Sequence, residues 1–203
     1  MSKRKLSSIL IALGGALLLA ALLLFGYNCW QDARAAQNAQ DVMNALQEEL
    51  LKNHLPHRNP YDDDMQEMEL YGNDYIGYLS IPALGLNLPI IDDWSYPKLK
   101  VAPCRQFGSI QTDDLVIAGH NYRRQFGHLH NLHIGDMLQF TDMDGVVTSY
   151  KIGEVNRIKA NDTNRVKNSD WDLVLYTCNY LRSGRTMVGA ARITEKTETI
   201  ENR

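Results

Sequence analysis

Asp172-Leu173-Val174-Leu175-Tyr176-Thr177-Cys178 is an unbroken apolar run that ends in a thiol, and it decides the fold. Such a run suits a strand buried on both faces, with its last side chain emerging at a rim. The loop Asn179 to Gly184 follows, and a second strand-like run starts at Arg185. A connection this tight predicts an antiparallel hairpin, with Cys178 and Arg185 as cross-strand neighbours whose Cβ atoms lie roughly 5 Å apart. Arg182, in the middle of the loop, is the weaker candidate cation.

Working outward, Leu115-Val116-Ile117-Ala118-Gly119-His120-Asn121 repeats the design: an apolar strand delivers an imidazole at its end, after a glycine that permits close approach. Similar short runs occupy Tyr75 to Ile81, Leu86 to Ile91, Met137 to Phe140, Val146 to Ile152 and Thr186 to Ile193. Separated by Gly, Pro, Asn and Asp, they predict a compact all-β barrel or sandwich of about 125 residues beginning after Tyr71.

The residues at these strand ends carry a specific chemistry. A guanidinium keeps its charge, so Arg185 can lower the pKa of a nearby thiol or hold a developing oxyanion. Cys178, His120 and Arg185 together are the parts of an activated thiol nucleophile. The plainer alternatives are an inert buried cysteine beside a surface arginine, and a hydrogen-bonded structural histidine. His128, His130 and His133 have no Cys or carboxylate cluster with them, and Phe126, Leu129, Leu132 and Ile134 interleave them as core residues would. The pattern therefore predicts no zinc site, and no cofactor is expected.

The N-terminus reads Lys3-Arg4-Lys5 and then a nearly continuous apolar stretch from Ile9 to Tyr27. As a helix this stretch spans roughly 28 Å, close to the hydrocarbon thickness of a bilayer. Basic residues before it predict a cytoplasmic N-terminus, and Tyr27 and Trp30 suit an interfacial belt. The competing reading is a cleaved signal peptide, since Ala33-Arg34-Ala35 has a small-x-small form, but the apolar core is longer than such peptides require. From Gln31 to Asn53, Val42, Leu46, Leu50 and Leu51 recur at helical spacing and predict a helix leading away from the membrane. The acidic run Asp62-Asp63-Asp64 lacks the glycine and closing glutamate of a calcium loop and reads as linker.

With 21 basic and 24 acidic side chains and no long basic block, a nucleic-acid partner has no electrostatic support. Three cysteines are an odd number for an outward-facing chain, so at least one is unpaired within it. Cys29 at the membrane boundary reads as incidental, and a Cys104–Cys178 disulfide is the structural alternative to a reactive Cys178.

Taken together, these segments resemble the sortases, surface cysteine transpeptidases of mostly Gram-positive bacteria. The resemblance runs from about Tyr75 to Ile193. It rests on Ile76-Gly77-Tyr78-Leu79-Ser80-Ile81-Pro82, Leu86-Asn87-Leu88-Pro89-Ile90, Val116-Ile117-Ala118-Gly119-His120-Asn121, Phe126 with Leu129 and Leu132, Gly135-Asp136, Leu175-Tyr176-Thr177-Cys178, and Arg185. It implies an eight-stranded β-barrel with Cys178 as nucleophile, His120 as acid and base, and Arg185 steadying substrate and oxyanion. The implied substrates are surface proteins with a C-terminal Leu-Pro-x-Thr-Gly-like sorting signal. The implied acceptor is an amine on a cell-wall precursor or a pilin lysine. The chain then divides into a tail and anchor (1–30), a helical extension and linker (31–70) and the sortase-like barrel (71–203), held at the cell membrane with the barrel outside.

Asn121 and the helical extension resemble class B, and Pro60-Tyr61 faintly resembles the lid of pilin-building sortases, so the class stays open. Two rival functions share the same residues: a surface cysteine peptidase that releases the thioester to water, and a non-catalytic module for assembling surface proteins.

Overall fold

A computed structural model of the chain describes residues 3–52, 65–159, 162–178 and 184–194. The apolar runs expected to be strands are strands. They are β2 (Asn73–Ile81), β3 (Leu86–Ile91), β5 (Leu115–His120), β6 (Met137–Asp142), β7 (Val147–Ile158), β8 (Leu173–Cys178) and β9 (Arg185–Arg192). Two short strands, β1 (Met68–Leu70) and β4 (Cys104–Phe107), lie outside that expectation. Their mixed sequences, Met-Glu-Leu and Cys-Arg-Gln-Phe, are too short to display a period of two.

The hydrogen-bonded order is β1-β2-β3-β4-β5-β8-β9-β7-β6, and β6 pairs back onto β2. That last pairing, from Gly77↔Asp142 to Ser80↔Gln139, closes β2 to β9 into an eight-stranded barrel and leaves β1 as a flap on β2. Closure removes the unpaired edges that an open sheet would expose. Gly77 makes the seam possible, because with φ at 139° a Cβ there would sit 2.1 Å from the Thr141 carbonyl oxygen.

Two apolar layers account for the continuous runs. Leu115, Ile117, Leu173 and Leu175 fill the barrel interior with Ile76, Leu79, Phe126, Phe140 and Tyr150. The alternate residues Val116, Ala118, Val174 and Tyr176 join an outer cluster with Val42, Leu46, Leu99, Cys104 and Met187. Thus β5 and β8 are covered on both sides, and they form a parallel pair, the arrangement that needs such cover.

The outer cover comes partly from α1, a single helix running Lys3–Lys52. At 1.5 Å per residue it extends about 75 Å. Its first half presents exposed apolar side chains such as Leu17, Leu18, Leu22 and Leu24, and by length and composition it is able to cross a membrane. Its second half buries Ala35, Ala39, Val42, Met43 and Leu46, a stripe at helical spacing. The extension therefore leaves the apolar half of α1 and lies against the barrel. Leu51, expected on the apolar face, falls off the stripe and is exposed, while Leu50 packs on the outer cluster.

Residues 53–64 and 179–183, which include Asp62-Asp63-Asp64, Pro60-Tyr61 and Arg182, lie outside the described residues. A short helix, α2 (Tyr96–Leu99), capped by Ser95, leads to β4, and another, α3 (Thr163–Lys167), interrupts the connection from β7 to β8.

Candidate active site

Strand β5 ends at His120, and Gly119 sets how closely that end approaches the barrel's closing plug. A Cβ on Gly119 would lie 2.3 Å from the Phe126 ring, so the absence of a side chain lets the strand seat directly on Phe126. Beyond His120 the chain turns sharply. The Tyr122 carbonyl accepts from the backbone N–H groups of Gln125 and Gly127 at 3.0 and 2.9 Å, and a 3-10 turn, Phe126–Asn131, follows.

Three contacts hold the histidine. Its backbone N–H donates to the buried Gln125 side chain at 3.2 Å, and the Gln125 amide donates to the Val101 carbonyl at 3.4 Å. Its Nδ1 accepts from the Asn121 backbone N–H at 2.8 Å. Its ring stacks on Tyr122 with centroids 4.0 Å apart and planes 17° from parallel. Burial pushes the imidazole below its ordinary pKa, and the positive charge of Lys100 pushes in the same direction.

Parallel pairing brings β8 alongside in exact step, from Leu115↔Leu173 through to His120↔Cys178. Neighbouring strands lie about 4.8 Å apart, so the two strand ends are direct neighbours. Strand alternation assigns positions 116, 118 and 120 to the same outer face as 174, 176 and 178.

On the other side of β8, β9 runs antiparallel, pairing Tyr176 with Met187 near the site, and Arg185 stands two residues beyond Met187 on the same face. Its guanidinium carbon lies 5.7 Å from the centroid of the Tyr176 ring, and its buried Nε has no hydrogen-bond partner among the described residues. Tyr176 is itself held, its hydroxyl donating to Gln106 Oε1 at 2.5 Å. The three predicted residues thus occupy the ends of three adjacent strands, on one side of the barrel.

Around them the outer face is lined by Ile158, Met187 and Val166 of α3. Trp171 fixes the connection carrying α3. Its indole lies across Gly153 and Gly189, where any Cβ would come within 2.2 Å of a ring atom, and its N–H donates to Glu154 at 2.7 Å. At the rim, a cleft of about 490 Å³ is bounded by Asn121, Gly127, His130, Arg157 and Thr186.

Of the remaining candidates, His130 borders this cleft. His128 is half-buried, His130 is exposed, and their rings are 5.9 Å apart. His133 lies 4.0 Å from Asp136. Ile134, expected in the core, is exposed, because the chain turns away from the barrel just before Gly135 at φ 98°. Cys104 is fully buried in β4, its thiol directed at the Ala102 carbonyl at 3.5 Å, and Cys29 is exposed on α1.

Tyr122, Gln125 and Tyr176 were not singled out in the sequence. Tyr176 carried a usable signal, since the residue two before a strand-end thiol shares its face. Tyr122 and Gln125 depend on a turn whose course no local pattern announces.

A model of the sortase domain matches residues 79–193, more than half of the chain. No curated protein matches it. Among solved structures, sortase C of Streptococcus pneumoniae superposes with a TM-score of 0.56 at 19% identity, covering 77% of this chain and 96% of that one. Sortase A of Corynebacterium diphtheriae gives 0.54 at 17% identity, with 88% and 98% covered. Sortase C of Clostridium perfringens, solved with its C-terminal cell wall sorting motif, gives 0.54 at 19%, with 78% and 98% covered. At these identities the likeness is one of fold.

Proposed function

The chain belongs to the sortase family, whose members are cysteine transpeptidases, and from that premise we propose that it cleaves a C-terminal sorting signal and passes the surface protein to an amine. The observation that carries this reading is the parallel register His120↔Cys178, which makes positions 120 and 178 neighbours at the ends of β5 and β8. Arg185, on the adjoining strand and with an Nε–H that has no partner among the described residues, supplies the cation.

In the proposed reaction the Cys178 thiolate attacks the carbonyl carbon of a threonine-like residue. The tetrahedral oxyanion forms beside Arg185, whose charge and N–H groups stabilise it. As the carbon–nitrogen bond breaks, protonated His120 gives its proton to the departing amine, leaving a thioester on Cys178 and a neutral ring. An incoming amine then attacks the thioester, its proton passes to His120, and the thiolate leaves. Burial weakens the ring's hold on its proton, which favours donation and makes the protonated form the scarcer one at neutral pH.

The long apolar half of α1 supports an anchor in the cell membrane with the barrel outside, close to membrane-borne donors and acceptors. The sorting motif bound in the Clostridium perfringens structure supports a Leu-Pro-x-Thr-Gly-like peptide as donor, and the acceptor is a cell-wall precursor amine or a pilin lysine.

The test is the full chain in detergent with a sorting-signal peptide, with and without an added amine, read by product mass. An amide to the added amine is expected, through a thioester on Cys178. Cys178→Ala is expected to lose at least about a thousandfold in rate. Free acid as the sole product identifies a hydrolase, and undiminished function of Cys178→Ala refutes the catalytic reading altogether.

A further inference from the structure

The anchor helix reaches the histidine of the site through one aromatic side chain. The turn after His120 folds back so that Tyr122 lies flat on the imidazole at 4.0 Å. Such aromatic contacts are worth roughly 0.5–1.5 kcal/mol beyond the area they bury. The far end of the same ring faces α1, where the Tyr122 hydroxyl meets Gln31 Oε1 at 3.5 Å. That separation is at the long end for a hydrogen bond, so it locates the ring more than it binds it. Gln31 is itself held, its amide donating to the Tyr27 hydroxyl at 2.7 Å on the turn below. The Tyr122 phenol is pushed above its ordinary pKa by burial, and by the negative charges that Asp32 and Tyr27 carry when ionised, which independently records how close α1 lies.

Among the described residues, Tyr122 gives the histidine a support of a different kind from the others. Gln125 and Asn121 hold its backbone and Nδ1, but Tyr122 covers a ring face and leaves the ring without freedom to tilt toward it. Tyr122 itself is held at its carbonyl by the Gln125 and Gly127 amides, and its hydroxyl lies against Gln31. Continuity of α1 from the apolar half to the barrel-packed half means that Tyr27 and Gln31 belong to the turn where the membrane segment gives way to the extension.

We infer that Tyr122 is a positioning residue for His120, and that the juxtamembrane turn of α1, through Tyr27 and Gln31, is part of the framework that orients it. The inference rests on the proposed role of His120 for its effect on rate, but not for its structural content. The turn that leaves the membrane therefore belongs to the active-site framework, and a change there alters turnover before it alters peptide binding.

The test uses the full chain in nanodiscs. Tyr122→Leu is expected to lower kcat about tenfold with KM within twofold, since a misplaced acid–base group costs rate without touching the peptide groove. Tyr122→Phe, which keeps the stack and loses only the hydroxyl's contact with Gln31, is expected to lower kcat two- to threefold. Gln31→Ala is expected to lower kcat two- to threefold alone and to add nothing in the Tyr122→Phe background, the mark of one shared contact. In parallel, the His120 ring-proton resonances are followed by NMR. Tyr122→Leu should abolish their upfield ring-current shift, and Gln31→Ala should reduce it. Unchanged His120 resonances in Tyr122→Leu overturn the inference whether or not the protein turns over peptide. So does a wild-type kcat for Tyr122→Leu in a chain whose activity depends on Cys178. If the resonances move as expected but Cys178→Ala does not affect function, the positioning stands and the transpeptidase reading fails.

Discussion

Gly119→Ala tests how the barrel delivers the histidine. The added methyl carbon would stand 2.3 Å from Phe126 Cδ2 and 2.5 Å from Cγ. Carbon atoms pack at about 3.5–4.0 Å, so something must move by about 1.2 Å or more. Phe126 is fully buried among Leu129, Leu132 and the β5 and β8 interior residues, and close-packed neighbours on every side prevent the ring from retreating alone. Overpacking of this kind costs about 1–3 kcal/mol. For a domain of this size each kcal/mol lowers Tm by about 4 °C, which predicts a loss of about 4–12 °C. The strain falls on the peptide next to His120, so the rate of thioester formation should fall at least about tenfold.

The assay is thermal unfolding of the full chain in detergent, with thioester formation measured by mass on the same samples. Phe126→Ala supplies the control, because it removes both clashing atoms. The double variant should be no less stable than Phe126→Ala alone, although each single change destabilises. A Gly119→Ala protein with unchanged Tm, or losses that simply add in the double variant, would show that the close approach of Gly119 and Phe126 does not seat β5.

Two further outcomes follow from the same geometry. The His120 imidazole should titrate below 6.5 in an NMR pH series, because burial and Lys100 both oppose its charge. The unfolded chain then takes up this proton first as the pH falls, so the histidine's contribution to stability is complete above 6.5 and declines below it. A midpoint at or above 6.5 contradicts the packing described around the ring. Trp171→Ala should lower stability by about 3–5 kcal/mol in chemical denaturation, since it empties the space across Gly153 and Gly189 and releases Glu154. An effect below about 1 kcal/mol would mean that the connection carrying α3 is held elsewhere.

Much of the barrel was legible because apolar alternation is a local property. Seven strands announced themselves as runs, and the run from Leu173 to Tyr176 was apolar at every position because both of its faces are covered. Strand β4 was silent: with one parallel partner on β3 and a short antiparallel pairing to β5, its four residues are set by their neighbours. The extension helix was visible as a period, but its destination was not, since a stripe of Ala35, Ala39, Val42 and Leu46 does not say what covers it.

What the sequence determined by itself was the chemistry on offer: a thiol, an imidazole and a permanent cation, each closing or opening an apolar strand, behind a helix long enough to span a bilayer. Tertiary structure alone decided their company. Residue 120 meets residue 178 because two strands 58 positions apart in sequence run parallel in step, and the partners of the imidazole and guanidinium, Tyr122 and Tyr176, are assigned by a turn and a pairing. Side-chain type is written residue by residue, whereas register and packing arise from the closure of the whole barrel.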